Sequence, residues 1–578
     1  MSQQITDFTI MFFNQWIFLL QKIWPFVGVI FGISVFSIWL LRDSKFMRFA
    51  ICVAYFSFLF EPGLYLILPY ASKSLTGNAV NLEGFHIWSF CIGTALGIAA
   101  MFLMMRYLTP KLDWLSFSVT KKSSTERNKK TDVRQIQKHL PDSQKMYVPT
   151  DYFNAKHGIF VGLDEKKKAV YIELDKWRRS HIDVIGTTGS GKGVSAAVML
   201  AQAIISGESV IVFDPKNDEF LPHVLHQAAC ECKVPYVFID LTVDLPQWNP
   251  LQNKTVDEIE ELFSAGFSLG EKGTDADFYR LDDRRAARLS AKLAQPTDSI
   301  STLLRKIILG QPELCEKAKK FISDLDEICS ISATNIVKGI DVESLLKRGS
   351  VIYIRGSMRN PKILKLQRML VLSMIQFIEA RERANARHVC LFFDEFKYLI
   401  SRQSLEALGA IRDKKAHVML AHQSLGDLRD CPADLNSESV VASVNENCSI
   451  KIAYAVKDPD TADWLSRMSG SILVDDEIRQ VKTNVGLSEI RESGRSLRQS
   501  ERNLIDVNML QSLPERCAVI YGLGLARFVF TSPIPINKRA AAVTPIQFEV
   551  DSKNLDELGK SEPLQEPKKT IAQALLDV

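Results

Sequence analysis

The segment Gly186-Thr-Thr-Gly-Ser-Gly-Lys192 lies between an apolar run, His181-Ile-Asp-Val-Ile185, and a stretch of small and aliphatic residues, 194–205. Few folds accommodate that succession. A buried strand must enter a tight glycine turn, and the turn must open directly into a helix. Glycine permits the backbone curl that points successive N–H groups inward at an anion. The helix adds the positive end of its dipole, and Lys192 adds a point charge. The loop is therefore expected to cradle the phosphates of ATP with Gly186, Thr187, Thr188, Gly189, Ser190, Gly191, Lys192 and Gly193. One residue departs from the usual motif. A Ser or Thr hydroxyl ordinarily follows the lysine and binds Mg2+, but here that place is Gly193. Metal coordination then leans on water and downstream carboxylates, or Ser195 helps indirectly.

A second motif completes this chemistry. His388-Val-Cys-Leu-Phe-Phe-Asp394-Glu395 reads as an apolar strand ending in two acids. Asp394 is expected near Mg2+ as the metal residue, and Glu395 is expected to orient and polarise the attacking water. Residues 416–421 read as a neighbouring strand that ends near Gln423, a polar side chain placed to sense the γ-phosphate. Apolar runs at 209–213, 350–354, 449–455 and 517–521 extend the same grammar of strands alternating with helices. The expected fold class is α/β, with a RecA-like P-loop ATPase core over 151–252 and 346–536. Residues 253–345 carry no convincing strand pattern and predict an inserted all-alpha domain. Arg284 and Arg288, four apart, share one helical face there. That face is either solvated or a contact for DNA or a partner.

The two ends of the chain differ from this body. Residues 1–110 are apolar and poor in acids, and predict a transmembrane anchor of two to three helices. Residues 24–41 and 87–105 each approach the ~20 apolar residues that a bilayer core requires. The segment 49–70 is interrupted by Glu61 and Pro62. The positive-inside rule nonetheless favours counting it, since Arg42, Lys45 and Arg48 and the basic group after Arg106 then face one side. Residues 111–150 form a basic juxtamembrane linker suited to solvent, anionic lipid or DNA. Residues 537–578 read as a tail without a core of its own. A net charge of +4 over 578 residues gives no bulk signature of nucleic-acid binding. The ten cysteines show no C-x-x-C spacing, so neither a zinc site nor a disulfide framework is expected.

Together these residues resemble a known group. The N-terminal apolar helices, Gly186-Thr-Thr-Gly-Ser-Gly-Lys-Gly193, Asp214-Pro-Lys216, Trp248-Asn-Pro-Leu251, the helical insertion, Asp394-Glu395 and His422-Gln423-Ser424 are similar to type IV secretion coupling proteins of the TraG/TraD family. The resemblance covers roughly residues 20–535. It implies an ATPase of the bacterial inner (cytoplasmic) membrane, multi-pass, with a large C-terminal cytoplasmic domain. It implies a homo-hexamer that uses ATP and Mg2+. Such proteins bring relaxase-bound DNA, single-stranded, to the channel proteins of the secretion system and drive conjugative transfer. Arg412 falls in the family's place for an arginine finger, with Arg429 and Arg467 as weaker candidates. Two other readings stay open: a coupling ATPase for protein effectors, and an FtsK-like or HerA-like double-stranded DNA translocase.

Overall fold

The computed structural model describes residues 2–40, 45–76, 87–108, 126–127, 133–142, 145–271, 275–483 and 489–548. The tail from 549 onward and most of the linker therefore lie outside the described residues. The chain divides into two compact units, Met1–Ser124 and Thr125–Val578.

The larger unit is organised by fourteen strands. In chain order these are β1 (Glu126–Arg127), β2 (Ile159–Leu163), β3 (Ala169–Ile172), β4 (Ile182–Ile185), β5 (Ser209–Asp214), β6 (Tyr236–Asp240), β7 (Val351–Arg355), β8 (Val389–Phe393), β9 (Ala416–His422), β10 (Ile450–Ala453), β11 (Ser471–Thr483), β12 (Glu489–Asn503), β13 (Cys517–Tyr521) and β14 (Arg527–Phe530). Eleven of them form one sheet in the order β3-β2-β14-β13-β10-β4-β9-β8-β5-β7-β6. From β10 to β6 every pairing is parallel. From β10 back to β3 every pairing is antiparallel. The parallel strands are buried along nearly their whole length. This explains why they read as unbroken apolar runs rather than as alternating ones. Helices cover both faces, and two large apolar clusters fill the layers, one around Phe263, Phe321 and Phe393 and the other around Trp177, Tyr353 and Tyr454.

The strand order matters for function. Reading β4, β5, β8, β9 and β10 as the five strands of the ATPase core gives the order 5-1-4-3-2, the RecA-like arrangement. It leaves β9 between the strand that carries the glycine loop and the strand that carries the two acids. Ligand sites of open parallel sheets lie at the carboxyl ends of strands where the order switches, and both motifs end there. Between β6 and β7 the described residues are helical. They include Val256–Phe267, Leu281–Leu293, Ile300–Gly310 and Lys319–Cys329. A long hairpin, β11 with β12, pairs antiparallel over most of its length and takes β1 on its other edge.

The smaller unit is helical over Ser2–Leu40, Lys45–Phe58, Leu64–Thr76 and Ile87–Leu103. Glu61 and Pro62 fall in a π-helical turn, Leu59–Gly63, which separates the second and third helices. The first and last helices approach closely through glycine. A Cβ at Gly28, Gly32 or Gly97 would run into the backbone oxygen of Phe90, Thr94 or Val29, respectively. Small residues spaced by four that bring helix backbones together are a device of helix packing in lipid. Among the described residues, however, no helix is long and apolar enough to cross a membrane. The helix over Ile87–Leu103, where the second span was expected, has 17 residues. It runs on into a π-helical turn, Met104–Leu108.

Candidate functional site

The glycine loop leaves β4 at Gly186 and closes at Gly191, where the helix Lys192–Ile205 begins. Gly186 and Gly191 have φ of 155° and 121°, and a Cβ on either would lie 2.6 or 2.9 Å from the side chain of Tyr454. Only glycine fits both the conformation and the space. The loop is tied down on each side. Gly186 N–H donates to the His422 carbonyl, Thr187 N–H donates to the Ala455 carbonyl, and Arg516 N–H donates to the Ser190 carbonyl. The Ser190 hydroxyl donates to the Thr187 carbonyl at 2.7 Å, which stiffens the turn from within.

Lys192 is buried and folds back over this loop. Its Nζ donates to the carbonyls of Gly186 and, at 3.3 Å, Thr187. Burial lowers its pKa, while the carboxylates of Glu395 and Asp394 pull it up. Lys192 thus lies within electrostatic reach of the acids that end β8. Ser195 plays no such part. It is fully buried and its hydroxyl donates to the Lys192 carbonyl at 3.0 Å, so it stiffens the helix start instead of reaching into the phosphate site.

The acids sit at the carboxyl end of β8. Asp394 N–H donates to the Phe213 carbonyl of β5, which fixes its direction. Burial, then the neighbouring carboxylates of Asp214 and Glu395, push the Asp394 carboxyl up to about 7. Glu395 is buried in a left-handed conformation with φ of 46°. Such backbone costs of order 1–3 kcal/mol for a non-glycine residue and concentrates at functional sites. Gln423, just past β9, donates from Nε2 to both Glu395 oxygens at 3.3 and 3.2 Å. Lys216 Nζ lies 4.0 Å from Glu395 Oε1. Sequence reasoning did not place Lys216 in the site. Its signal in the sequence is the strand-ending Asp214-Pro-Lys216.

Asp214 organises the turn that presents Lys216. Its carboxylate accepts N–H groups from Lys216, Asn217 and Asp218 and the Tyr353 hydroxyl, the last at 2.6 Å. Behind the loop, His422 Nε2 lies 2.9 Å from Asp183 Oδ1 and Lys451 Nζ lies 3.5 Å from Asp183 Oδ2, all three buried. Against the effect of burial, Asp183 holds the His422 pKa up, and His422 and Lys451 hold the Asp183 pKa down. This ion group joins β4, β9 and β10, so the glycine loop and Gln423 share one rigid support. A buried charge left without its partner is strongly destabilising.

The donor set suits a hard divalent cation. Its side-chain ligands are oxygens, and Asp394, Asp214 and Glu395 crowd negative charge that the two lysines only partly balance. Among the described residues no group of three or more His, Cys, Asp or Glu would hold a metal ion unaided. Arg412 lies elsewhere. It is exposed in the short turn Ile411–Lys414, at the foot of β9. Gln423 and the loop-binding His422 stand at the other end of that strand, about 20 Å away at ~3.3 Å per residue. Arg412 shares a surface cavity of about 590 Å³ with Arg179, Arg383 and Asp413. Arg429 and Arg467 are held in ion pairs with Glu438 and Asp463.

Comparison with known proteins agrees with this architecture. Residues 388–515 match the family described as the TraM recognition site of TraD and TraG. Residues 159–223 match the central domain of the helicase HerA. Mobilization protein A of Escherichia coli is 29% identical over 361 residues, which cover 62% of this chain and 66% of that relative. Among solved structures, the bacterial conjugative coupling protein TrwBdeltaN70 in its unbound monoclinic form matches with a TM-score of 0.50 and 16% identity, over 72% of this chain and 94% of that one. Its trigonal form in complex with sulphate matches with a TM-score of 0.50 and 15% identity, over 72% and 96%. The fold is thus an α/β core of the TrwB kind. Over residues 388–515 the chain is thus similar to the TraG/TraD coupling proteins.

Proposed function

We propose that this chain is a membrane-anchored coupling ATPase that brings a relaxase-bound DNA strand to a type IV secretion channel and drives transfer by ATP hydrolysis. The observation that carries the ATPase reading is the convergence of Lys192, Asp394, Glu395 and Gln423 at the carboxyl ends of β4, β8 and β9. In this reading the backbone N–H groups of 186–193 hold the phosphates and Lys192 offsets their charge. Glu395 orients the attacking water, and Gln423 holds Glu395 and senses the γ-phosphate. Lys216 lies close enough to Glu395 to steady its charge. Mg2+, held through Asp394, supplies charge neutralisation across the phosphates. The substrate class rests on the likeness of 388–515 to the TraM recognition site of TraD and TraG, which supports docking of a TraM-like relaxosome protein on that stretch. The match of 159–223 to HerA favours a second reading, a double-stranded DNA translocase.

The test is ATP turnover by the purified full chain in detergent. Single-stranded DNA, with or without a relaxase, is expected to raise turnover several-fold more than duplex DNA of equal length. Stimulation by duplex alone would favour the translocase, and no turnover with any DNA or partner would overturn the reading.

The glycine-mediated packing of the helices in the first unit supports the anchoring part of this reading. A three-span arrangement puts Ser44 in the cytoplasm and Thr76 on the opposite side, and reporter fusions at both positions check it. Finding both in the periplasm would reduce the anchor to two spans.

A further inference from the structure

The glycine after Lys192 leaves the metal without its usual hydroxyl, and the structure places another oxygen beside the gap. Asp218 lies in the turn after β5 and is half-buried. Its N–H donates to Asp214 Oδ2 at 2.7 Å. One carboxylate oxygen, Oδ1, accepts the N–H groups of Phe220 and Leu221, both at 2.7 Å, and so caps the helix Leu221–Cys232. The other oxygen, Oδ2, stands 3.5 Å from where a Cβ on Gly193 would be and is the sole atom within 4 Å of that point. A serine or threonine hydroxyl is one bond beyond Cβ, so it would reach into the same space. The turn that puts Asp218 there depends on Asn217 at φ of 64°, a left-handed position asparagine tolerates.

We infer that Asp218 Oδ2 replaces the missing P-loop hydroxyl as the oxygen that this chain turns toward Mg2+ from the side of the glycine loop. This rests on the ATPase reading of the site. The exchange is chemically sensible. A hard cation accepts carboxylate oxygen at least as readily as hydroxyl oxygen. A Cβ at Gly193 would stand at ordinary contact distance from that oxygen, so a side chain there and the carboxylate would share the same side of the site. Asp218 acts as an oxygen donor to the metal, not as a base or nucleophile.

Mn2+ serves as the probe, followed by electron paramagnetic resonance of the free ion, titrated into the full chain with ADP. Asp218→Asn keeps a capping oxygen and removes the charge. It is expected to weaken Mn2+ binding by about 10–100-fold, the range for groups that support a metal site. Binding of ADP measured in EDTA stays unchanged. Adding Gly193→Thr to Asp218→Asn supplies the ordinary hydroxyl and is expected to recover most of the lost Mn2+ affinity. Wild-type Mn2+ affinity in Asp218→Asn, or no recovery in a double variant that still binds ADP in EDTA, would overturn the inference. If the wild-type chain binds no ADP even in EDTA, the nucleotide site itself is refuted, and the metal inference falls with it.

Discussion

Glu395→Gln is expected to bind ATP about as well as the unchanged chain and to hydrolyse it at least about 10²-fold more slowly. The change keeps size and hydrogen-bonding capacity, so the contact with Gln423 can persist. What is lost is the negative charge that polarises water. Positioned acid–base groups contribute about 10²–10⁴-fold, and a glutamate held by Gln423 near a lysine is well fixed for that task. Lys192→Ala should separate from it. Lys192 is buried against the loop it folds over, so its removal takes away phosphate charge stabilisation and is expected to weaken nucleotide binding itself. Fluorescent-nucleotide titration and single-turnover hydrolysis, run on both variants, distinguish the two losses. Equal turnover in Glu395→Gln and the unchanged chain would remove Glu395 from the mechanism. Unchanged binding in Lys192→Ala would remove Lys192.

What could be read from the sequence follows the physics of burial. β4, β5, β8 and β9 lie in the middle of a parallel sheet, so both faces are covered and each reads as an apolar run. β2, β3 and β14 belong to the antiparallel end. They are four or five residues long, and the sequence pattern predicts no strand there. The β11–β12 hairpin escaped for a different reason. It spans 13 and 15 residues rich in charge, and its two strands pair chiefly with each other. Apolar patterning is silent about such an element. Lys216 was hidden because its place in the site depends on a turn built by Asp214, and that turn is a matter of hydrogen bonds, not hydropathy. The expected spans at 24–41 and 87–105 rest on apolar length and on the aromatic and basic residues at their ends, and among the described residues no helix is long and apolar enough to cross a membrane.

Arg412→Ala is expected to lower ATP turnover by about 10³–10⁵-fold, the range for an arginine supplied to developing charge on a transferred phosphoryl group. Its own nucleotide site stands about one strand length away, so the effect has to come from a neighbouring copy. Three features recommend Arg412 for this role. It is exposed, it lines an open cavity together with Arg179 and Arg383, and no ion pair holds it among the described residues. Arg429 and Arg467 are already paired with carboxylates. A head-to-tail interface repeated around a closed ring brings the same surface to every site, so a cation at the foot of β9 can complete the next subunit's loop. Mixing tests this directly. Arg412→Ala subunits keep Lys192, and Lys192→Ala subunits keep Arg412. Each variant alone is expected to be inactive. A mixed ring should regain turnover wherever an intact loop meets an intact arginine, with a maximum near equal proportions. If Arg412→Ala alone turns over ATP normally, or if rings shown by cross-linking to contain both variants regain nothing, the arginine acts elsewhere. The completing cation would then be sought at Arg179 or Arg383, which share its cavity.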